Sequence, residues 1–128
     1  MISLESLTIS DKLFLENIFF NLPIAAFLIS KSGNIELVNT YACAITGYKK
    51  EELIDHNALM LIPERLRNER KALSTQYMAN PHIVVVDEEI EVIYLTKPNT
   101  EILVNVAAAP IYHEEKGLLF LVLMKRKV

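Results

Sequence analysis

The sequence predicts an α+β domain in which one antiparallel sheet of five strands carries helices on one face and a capping helix at the N-terminus. Two short apolar segments with a turn between them come early, helical segments follow, and three strand-like segments close the chain. Strands joined by tight turns pair antiparallel, and helices gathered between two groups of strands are typical of this class. With 128 residues, 52% of them apolar, the chain has the size of one domain around one core.

The first predicted element is a helix that Ser10 or Asp11 caps and that Pro23 ends. We treat residues 1–22 as an N-terminal helical cap and residues 23–128 as the main domain. The apolar face of the helix is expected to comprise Leu13, Phe14, Ile18 and Phe19.

A β-hairpin is predicted next. Residues 24–30 have the composition of a buried strand, and residues 35–39 alternate as a second strand. Gly33 and Asn34 lie between them and suit a turn with positive φ.

Helical segments follow the hairpin. Asn39 suits the cap of a helix over "TYACAIT", which Gly47 ends, and "KKEELI" predicts a further short helix. The longest helix is expected to begin at Pro63, a favoured first position, and to run to about Met78.

Three strands are predicted in the last third of the chain, at about 88–96, 101–112 and 118–126. The turn-like stretches "KPNT" and "HEEKG" separate them. In the middle strand, one face carries Ile102, Val104, Val106 and Ala108, and the other carries Leu103, Asn105, Ala107 and Ala109. The last strand is apolar on both faces, so both faces of the sheet need cover. We expect the helices to cover the inner face. The N-terminal helix, alone or together with a partner chain, is expected to cover the outer face.

Charge and composition exclude several classes of function. The formal net charge of −3, without a basic cluster, argues against a nucleic-acid surface. The single Cys43 forms no internal disulfide and fits a reducing compartment. The longest apolar run, residues 118–124, is too short to cross a bilayer as a helix. The segment is therefore expected to be soluble and cytoplasmic, without membrane insertion.

No grouping of residues supports catalysis or metal binding. His56, His82 and His113 are scattered without ligand spacing, and three glycines form no phosphate-binding loop. The acidic stretch at 87–91 is expected to be solvated. The sequence therefore gives no support for an enzyme.

Several motifs together resemble the PAS domain family over residues 16 to 124. They are "LP" before the first strand, the Gly-Asn hairpin, the Asn that ends the second strand, "TGY…EEL", "LIPERLRNER" and "KPNTEILVNVAAAPI". The order and spacing of these motifs carry the resemblance. It implies a sensory or protein-interaction domain of a signal-transduction system, with a pocket between the sheet and the long helix.

The resemblance places a pocket between sheet and helices, and the apolar patterns of the sequence supply candidate residues for that pocket and for a homodimer. The pocket candidates are Leu61, Leu66, Arg70, Leu73, Tyr77, Ile93, Val104, Val106, Phe120 and Val122. The dimer candidates are Leu13, Phe14, Ile18 and Phe19, which are too apolar to leave exposed to water.

Two cofactors of the family are disfavoured by single residues. In haem-binding members, a helix similar to "LIPERLRNER" ends in the iron-ligating histidine, and that position holds Arg70, which offers no lone pair to a metal. In flavin photosensors an Asn-Cys dipeptide supplies the adduct-forming thiol, and Ala58 stands in place of that cysteine.

Arg70 has two interpretations. It could anchor a ligand carboxylate at the pocket mouth, or it could lie across apolar surface with its charged end in water. The second is favoured because most arginines are exposed.

Three functions are left open at this point. The domain could sense a small apolar or amphipathic ligand. It could be a ligand-free dimerisation module whose interior is filled by Leu61, Leu66, Ile93, Phe120 and Met124. Least supported is a small enzyme on a similar scaffold. The resemblance implies an output domain, such as a kinase, a cyclase or a transcription regulator, in the same protein or in trans.

Overall fold

The computed structural model describes residues 8–84 and 91–127. Five strands form one antiparallel sheet in the order β2-β1-β5-β4-β3, which confirms the predicted fold class. The strands are β1 (Ala25–Ser30), β2 (Ile35–Val38), β3 (Glu91–Leu95), β4 (Glu101–His113) and β5 (Gly117–Arg126). The helices are α1 (Ile9–Phe20), α2 (Thr40–Thr46), α3 (Lys50–Leu53) and α4 (Arg67–Ala79), with 3₁₀ turns at Ala58–Leu61 and Glu64–Leu66. Of the predicted strand at 88–96 and the acidic stretch at 87–91, residues before 91 lie outside the described part.

Helix α1 begins two residues earlier than predicted, with Thr8 as its cap. The Thr8 hydroxyl accepts a hydrogen bond from the Asp11 backbone N–H at 3.0 Å, and the Asp11 carboxylate accepts from the Thr8 N–H at 3.1 Å. This reciprocal capping box satisfies two backbone donors at once, so Thr8 is a better cap than Ser10 or Asp11.

Asn39 joins β1 to α2 as predicted from its capping chemistry. Its side-chain oxygen accepts from the Ala42 N–H at 2.9 Å and from the Ala26 N–H at 3.0 Å. Its side-chain amide donates to the Ile24 carbonyl at 2.8 Å. The residue is buried, so these hydrogen bonds replace water that the side chain has lost. Gly47 ends α2 at φ +78°, the left-handed conformation expected of it.

The long helix begins later than predicted. Pro63 precedes a 3₁₀ turn in which the Leu66 N–H bonds to the Pro63 carbonyl at 2.9 Å, and α4 starts only at Arg67. The Arg67 side chain donates to the Ile62 carbonyl at 3.0 Å and so ties the start of α4 to the residue before Pro63. Because Glu64–Leu66 form a 3₁₀ turn and not the first turn of α4, the side of α4 that faces the sheet differs from the predicted one.

The inner face of the sheet packs against the helices and forms the core. The largest side chains with almost no exposure are Phe27, Ile35, Val38, Leu53, Leu61, Val104 and Met124. Cross-strand partners place Val106 opposite Met124 and Val104 opposite Val92, so these positions share the inner face. Within the described residues, the predicted division of faces along β4 is therefore observed.

The edge of β4 is blocked by proline. Val84 forms a two-way backbone bridge with Ala108 on the side of β4 that points away from β5, with N···O distances of 2.7 and 2.9 Å. Pro110, two residues further on, has its ring nitrogen on the same side, because backbone groups alternate along a strand. The proline therefore removes no hydrogen bond to β5 and hinders pairing with another strand at this edge.

Ion pairs fasten the β3–β4 turn to the helices. The Lys97 N–H donates to the Thr46 carbonyl at 2.8 Å, and the Lys97 ammonium lies 2.7 Å from the Glu52 carboxylate. Arg65 pairs bidentately with Glu101, with 2.7 Å for one of the two hydrogen bonds. Hydrogen bonding to Lys97 holds the pKa of Glu52 below its ordinary value, and hydrogen bonding to Arg65 does the same for the pKa of Glu101.

Because of the lowered pKa values of Glu52 and Glu101, we expect the folded protein to lose a small part of its stability in acid. A carboxyl group whose pKa is lower in the folded protein stabilises it above the ordinary value of 4.5, and this stabilisation is lost as the pH falls further. We expect the melting temperature to fall less steeply on acidification in the double variant Arg65→Met, Lys97→Met than in the unmodified protein. Thermal melts followed by circular dichroism between about pH 6 and pH 3 measure this. Parallel curves for the two proteins would contradict the assignment, and exposed Lys71→Met is the control.

Candidate functional site

Among the described residues, the side chains between the sheet and the helices form one packed core. Of the predicted pocket residues, Leu61, Val104 and Val106 are buried in the core, and Leu66 and Val122 pack against it. The structure therefore brings these five candidates together. It also adds Tyr94 and Val92, which the sequence did not single out because every residue from 92 to 95 is apolar or aromatic and shows no alternation.

Tyr77 and Phe120 meet where α4 crosses the sheet. Their rings lie edge to face with centroids 5.6 Å apart, and Phe120 is only 3% exposed. The Tyr77 hydroxyl donates to the His82 carbonyl at 2.7 Å, which ties the end of α4 to the segment that follows it. Burial raises the pKa of Tyr77, so the hydroxyl stays a donor at neutral pH.

Arg70 is half-buried on α4 and lies close enough to Tyr94 to affect its titration. Burial raises the pKa of Tyr94, and the positive charge of Arg70 opposes this rise. Both interpretations of Arg70, as a ligand anchor or as a side chain lying over apolar surface, stay predictions.

Two pocket candidates lie elsewhere. Leu73 is 48% exposed, because the inward side of α4 runs through Arg70, Ser74 and Tyr77 instead. Ile93 points to the outer face of the sheet, since its strand neighbours on both sides face the core. The structure does not bring either residue to the space between sheet and helices.

Three residues bear on haem and flavin binding, namely Ala58, Cys43 and His56. Ala58 packs against the core at the start of a 3₁₀ turn. Cys43 lies half-buried in α2, where burial, and next the Glu51 carboxylate, raise the pKa of its thiol. His56 is exposed, with its Nδ1 3.0 Å from the Ile54 carbonyl.

We expect the freshly purified protein to show neither a Soret band nor light-driven bleaching of a bound flavin. Arg70 has no lone pair for iron, and Ala58 has no thiol to form an adduct. Absorbance spectra before and after blue illumination measure both. A Soret band abolished by His56→Ala, or bleaching abolished by Cys43→Ala, would contradict these expectations.

Helix α1 is the most exposed apolar element of the described chain. None of its twelve residues is buried, and Leu13, Phe14 and Ile18 are 59%, 66% and 46% exposed. The expected single apolar face is not observed. Successive helical residues turn by about 100°, so Leu13, Phe14, Ile18 and Phe19 are spread around most of the helix. Apolar side chains therefore surround α1.

Contrary to expectation, α1 does not cover the outer face of the sheet of its own chain. Its C-terminal end is held near the helices, where the Asn39 amide lies 3.4 Å from the Phe19 carbonyl and the Lys50 ammonium lies 5.1 Å from the centre of the Phe20 ring. The rest of the helix extends into solvent. Several apolar residues of the outer face are only partly buried, namely Leu28, Leu37, Ile93, Leu103, Leu121 and Leu123.

Within residues 8–84 and 91–127, no helix is long and apolar enough to cross a membrane. In the same residues, no group of three or more His, Cys, Asp or Glu side chains is arranged to hold a metal ion.

The sheet order, the helices on one face and the long β4–β5 hairpin define a small α+β domain. The family model described as "PAS domain" matches residues 23–125, and the chain belongs to this family. No curated protein matches the chain.

Solved structures share the fold at low identity. The PAS domain of an HTR-like protein from Haloarcula marismortui is 20% identical, with a TM-score of 0.73 over 92% of this chain and 93% of that chain. A PAS domain from Colwellia psychrerythraea is 18% identical, with a TM-score of 0.76 over 91% and 97%. A domain of a sensory box sensor histidine kinase/response regulator from Geobacter sulfurreducens is 16% identical, with a TM-score of 0.68 over 88% and 92%.

Proposed function

We propose that this PAS domain relays a signal as a homodimer that is joined through α1. The observation that carries the proposal is the exposure of apolar side chains all around this helix. A helix that is apolar on every side is normally buried, and large exposed apolar patches mark interaction sites. A twelve-residue helix is also marginal by itself in water, so α1 depends on packing for its stability.

Two-fold pairing is the simplest way to bury α1. A homodimer covers the same surface on both chains, and this is the commonest kind of oligomer. A change in the interior, transmitted through Asn39 to the end of α1, would alter how the two helices meet. The output would be a kinase, a cyclase or a transcription regulator, in the same protein or in trans. The similarity to a domain of a sensor histidine kinase/response regulator supports a two-component system. The proposal places the domain in the cytoplasm and assigns it no catalytic role.

Ligand sensing is a second candidate function, and one observation favours it. Arg70 is a half-buried cation whose charge acts on the buried phenol of Tyr94, and such a cation suits the carboxylate of a small amphipathic ligand. Mass spectrometry of small molecules released from the purified protein tests this. Loss of a released carboxylate in Arg70→Gln supports it, and an empty protein contradicts it.

The molar mass of the full chain in solution tests the dimer. We expect size-exclusion chromatography with light scattering to give twice the mass of one chain at micromolar concentrations. A protein that stays monomeric at high micromolar concentration would overturn the proposal.

A further inference from the structure

The outer edge of β3 has backbone groups that can pair with a further strand. β3 is the last strand of the sheet and pairs on one side only, with β4. The Thr96 N–H donates to the Thr100 carbonyl at 2.9 Å, and this bond sets the alternation, so the even-numbered residues of β3 bond to β4. Ile93 and Leu95 therefore direct their N–H and C=O groups away from the sheet. Among the described residues, no other backbone group bonds to them there.

The other edges of the sheet are protected, and the edge of β3 is not. On β2, the Ile35 N–H donates to the His56 carbonyl at 2.9 Å, and the Ile35 carbonyl accepts from the Asp55 N–H at 2.8 Å. On β4, Pro110 hinders pairing beyond the reach of β3. Residues 91–95 contain neither proline nor lysine, and their register with β4 runs without a bulge. A strand edge without these protections is a site for pairing with another chain.

A cleft lies at the C-terminal end of this edge. Its volume is about 350 Å³. Leu95 belongs both to the free edge and to the lining of the cleft, so a chain that pairs with β3 reaches the cleft as well. The lining consists of residues from the turn before α4, the start of α4 and the β3–β4 hairpin, namely Pro63, Glu64, Arg65, Arg67, Leu95, Asn99 and Glu101.

Arg67 supplies an available positive charge in this cleft. Glu101 is already neutralised by its bidentate pair with Arg65. The Nε of Arg67 donates to the Ile62 carbonyl at 3.0 Å, which fixes the side chain, and its two terminal nitrogens have no partner among the described residues. A guanidinium group with free terminal N–H groups suits a carboxylate, which accepts two parallel hydrogen bonds. Glu64 also lines the cleft, but it is exposed, so solvent and salt screen its charge.

We propose that the edge of β3 binds an extended peptide segment of another protein, with a carboxylate side chain of that segment on Arg67. In such strand addition, backbone hydrogen bonds give affinity, and side chains in an adjoining pocket give selectivity. Ile93 and Leu95 supply the backbone bonds, and Arg67 supplies the selectivity. The site is separate from α1 and does not rest on the proposed homodimer.

Peptide selection on the full chain tests the inference. Short random peptides displayed on phage are selected against the purified protein, and the enriched sequences are expected to combine β-branched residues with one Asp or Glu. Fluorescence polarisation then compares the synthetic peptide with a form in which an amide replaces the carboxylate. On the unmodified protein, the amide form is expected to bind about tenfold more weakly. On Arg67→Gln, the two forms are expected to bind within about twofold of each other, because the partner of the carboxylate is gone.

A proline substitution tests the strand edge itself. Ile93→Pro removes an N–H that points away from β4, so the β3–β4 pairing is kept while peptide affinity is expected to fall more than about tenfold. Ile93→Ala keeps this N–H and is expected to bind within about threefold of the unmodified protein. Tyr112→Pro is the matched control, because it removes an exposed N–H on the edge of β4 that Pro110 already blocks, and it is expected to change nothing. Circular dichroism checks that each variant is folded.

Three results would overturn the inference. The first is a selection that enriches no peptide. The second is a folded Ile93→Pro variant that binds the peptide as tightly as the unmodified protein. The third is an equal loss from amide replacement on the unmodified protein and on Arg67→Gln. The comparison at Arg67 leaves β3 unchanged, so it decides the matter even where proline disturbs that strand.

Discussion

Replacement of Asn39 by alanine is expected to lower the free energy of unfolding by about 3 kcal/mol. The side-chain oxygen of Asn39 accepts from two buried backbone donors, those of Ala26 and Ala42. Alanine leaves both donors, and the Ile24 carbonyl, without the partner that the side chain supplied. An unsatisfied buried polar group is more destabilising than the average hydrogen bond is stabilising, so the losses at one position accumulate.

Urea unfolding followed by circular dichroism measures this difference. All variants are compared at one protein concentration, because dimerisation adds to the apparent stability. Asn68→Ala, at an exposed position on α4, is the matched control and is expected to change the unfolding free energy by less than about 0.5 kcal/mol. Equal stability of the Asn39 and Asn68 variants would show that the Asn39 junction does not hold β1 and α2 together.

The double variant Phe14→Glu, Ile18→Glu is expected to weaken dimerisation by more than about a hundredfold. Each glutamate would place a charge in the middle of the apolar contact, and two-fold symmetry doubles the number of charges buried. Both positions are exposed in the single chain, so the fold itself should be unaffected. Sedimentation velocity over a concentration series measures the dissociation constant.

A matched variant controls for the added negative charge. Ala72→Glu, Gln76→Glu introduces the same charges at the same spacing on the exposed side of α4. It is expected to dimerise like the unmodified protein. If the α1 variant also dimerises normally, the two chains meet elsewhere, and the strands from Glu101 to Met124 become the first place to look.

Local chemistry allowed part of this fold to be predicted from the sequence. Asn39 and Gly47 were predicted correctly because a helix cap and a left-handed turn depend on a few neighbouring atoms. The two faces of β4 were divided correctly because successive residues of any strand point to opposite faces, and the bounds of this strand were predicted closely. The start of α1 was missed because Ser10 and Asp11 are also good caps, and only the reciprocal bonds of Thr8 and Asp11 distinguish them.

Features that depend on distant parts of the chain were harder to predict. Ile93 was expected inside, and its direction is set by the pairing of Tyr94 with Ile102, which no local pattern reveals. Leu73 was expected to face the sheet because the helix was expected to begin at Pro63, and the 3₁₀ turn shifts the inward side. The exposure of α1 depends on where the helix leaves the domain, so it follows from tertiary structure alone.

The distance between the two copies of α1 tests the central claim most directly. A spin label at Lys12→Cys in a Cys43→Ala background would report it by double electron–electron resonance, since Lys12 is exposed. Packed helices lie about 8–10 Å apart between their axes. We therefore expect a strong dipolar signal with a short, narrow distance, which the Phe14→Glu, Ile18→Glu exchange abolishes. No dipolar modulation, or a distance too long for helices in contact, would contradict a homodimer joined through α1.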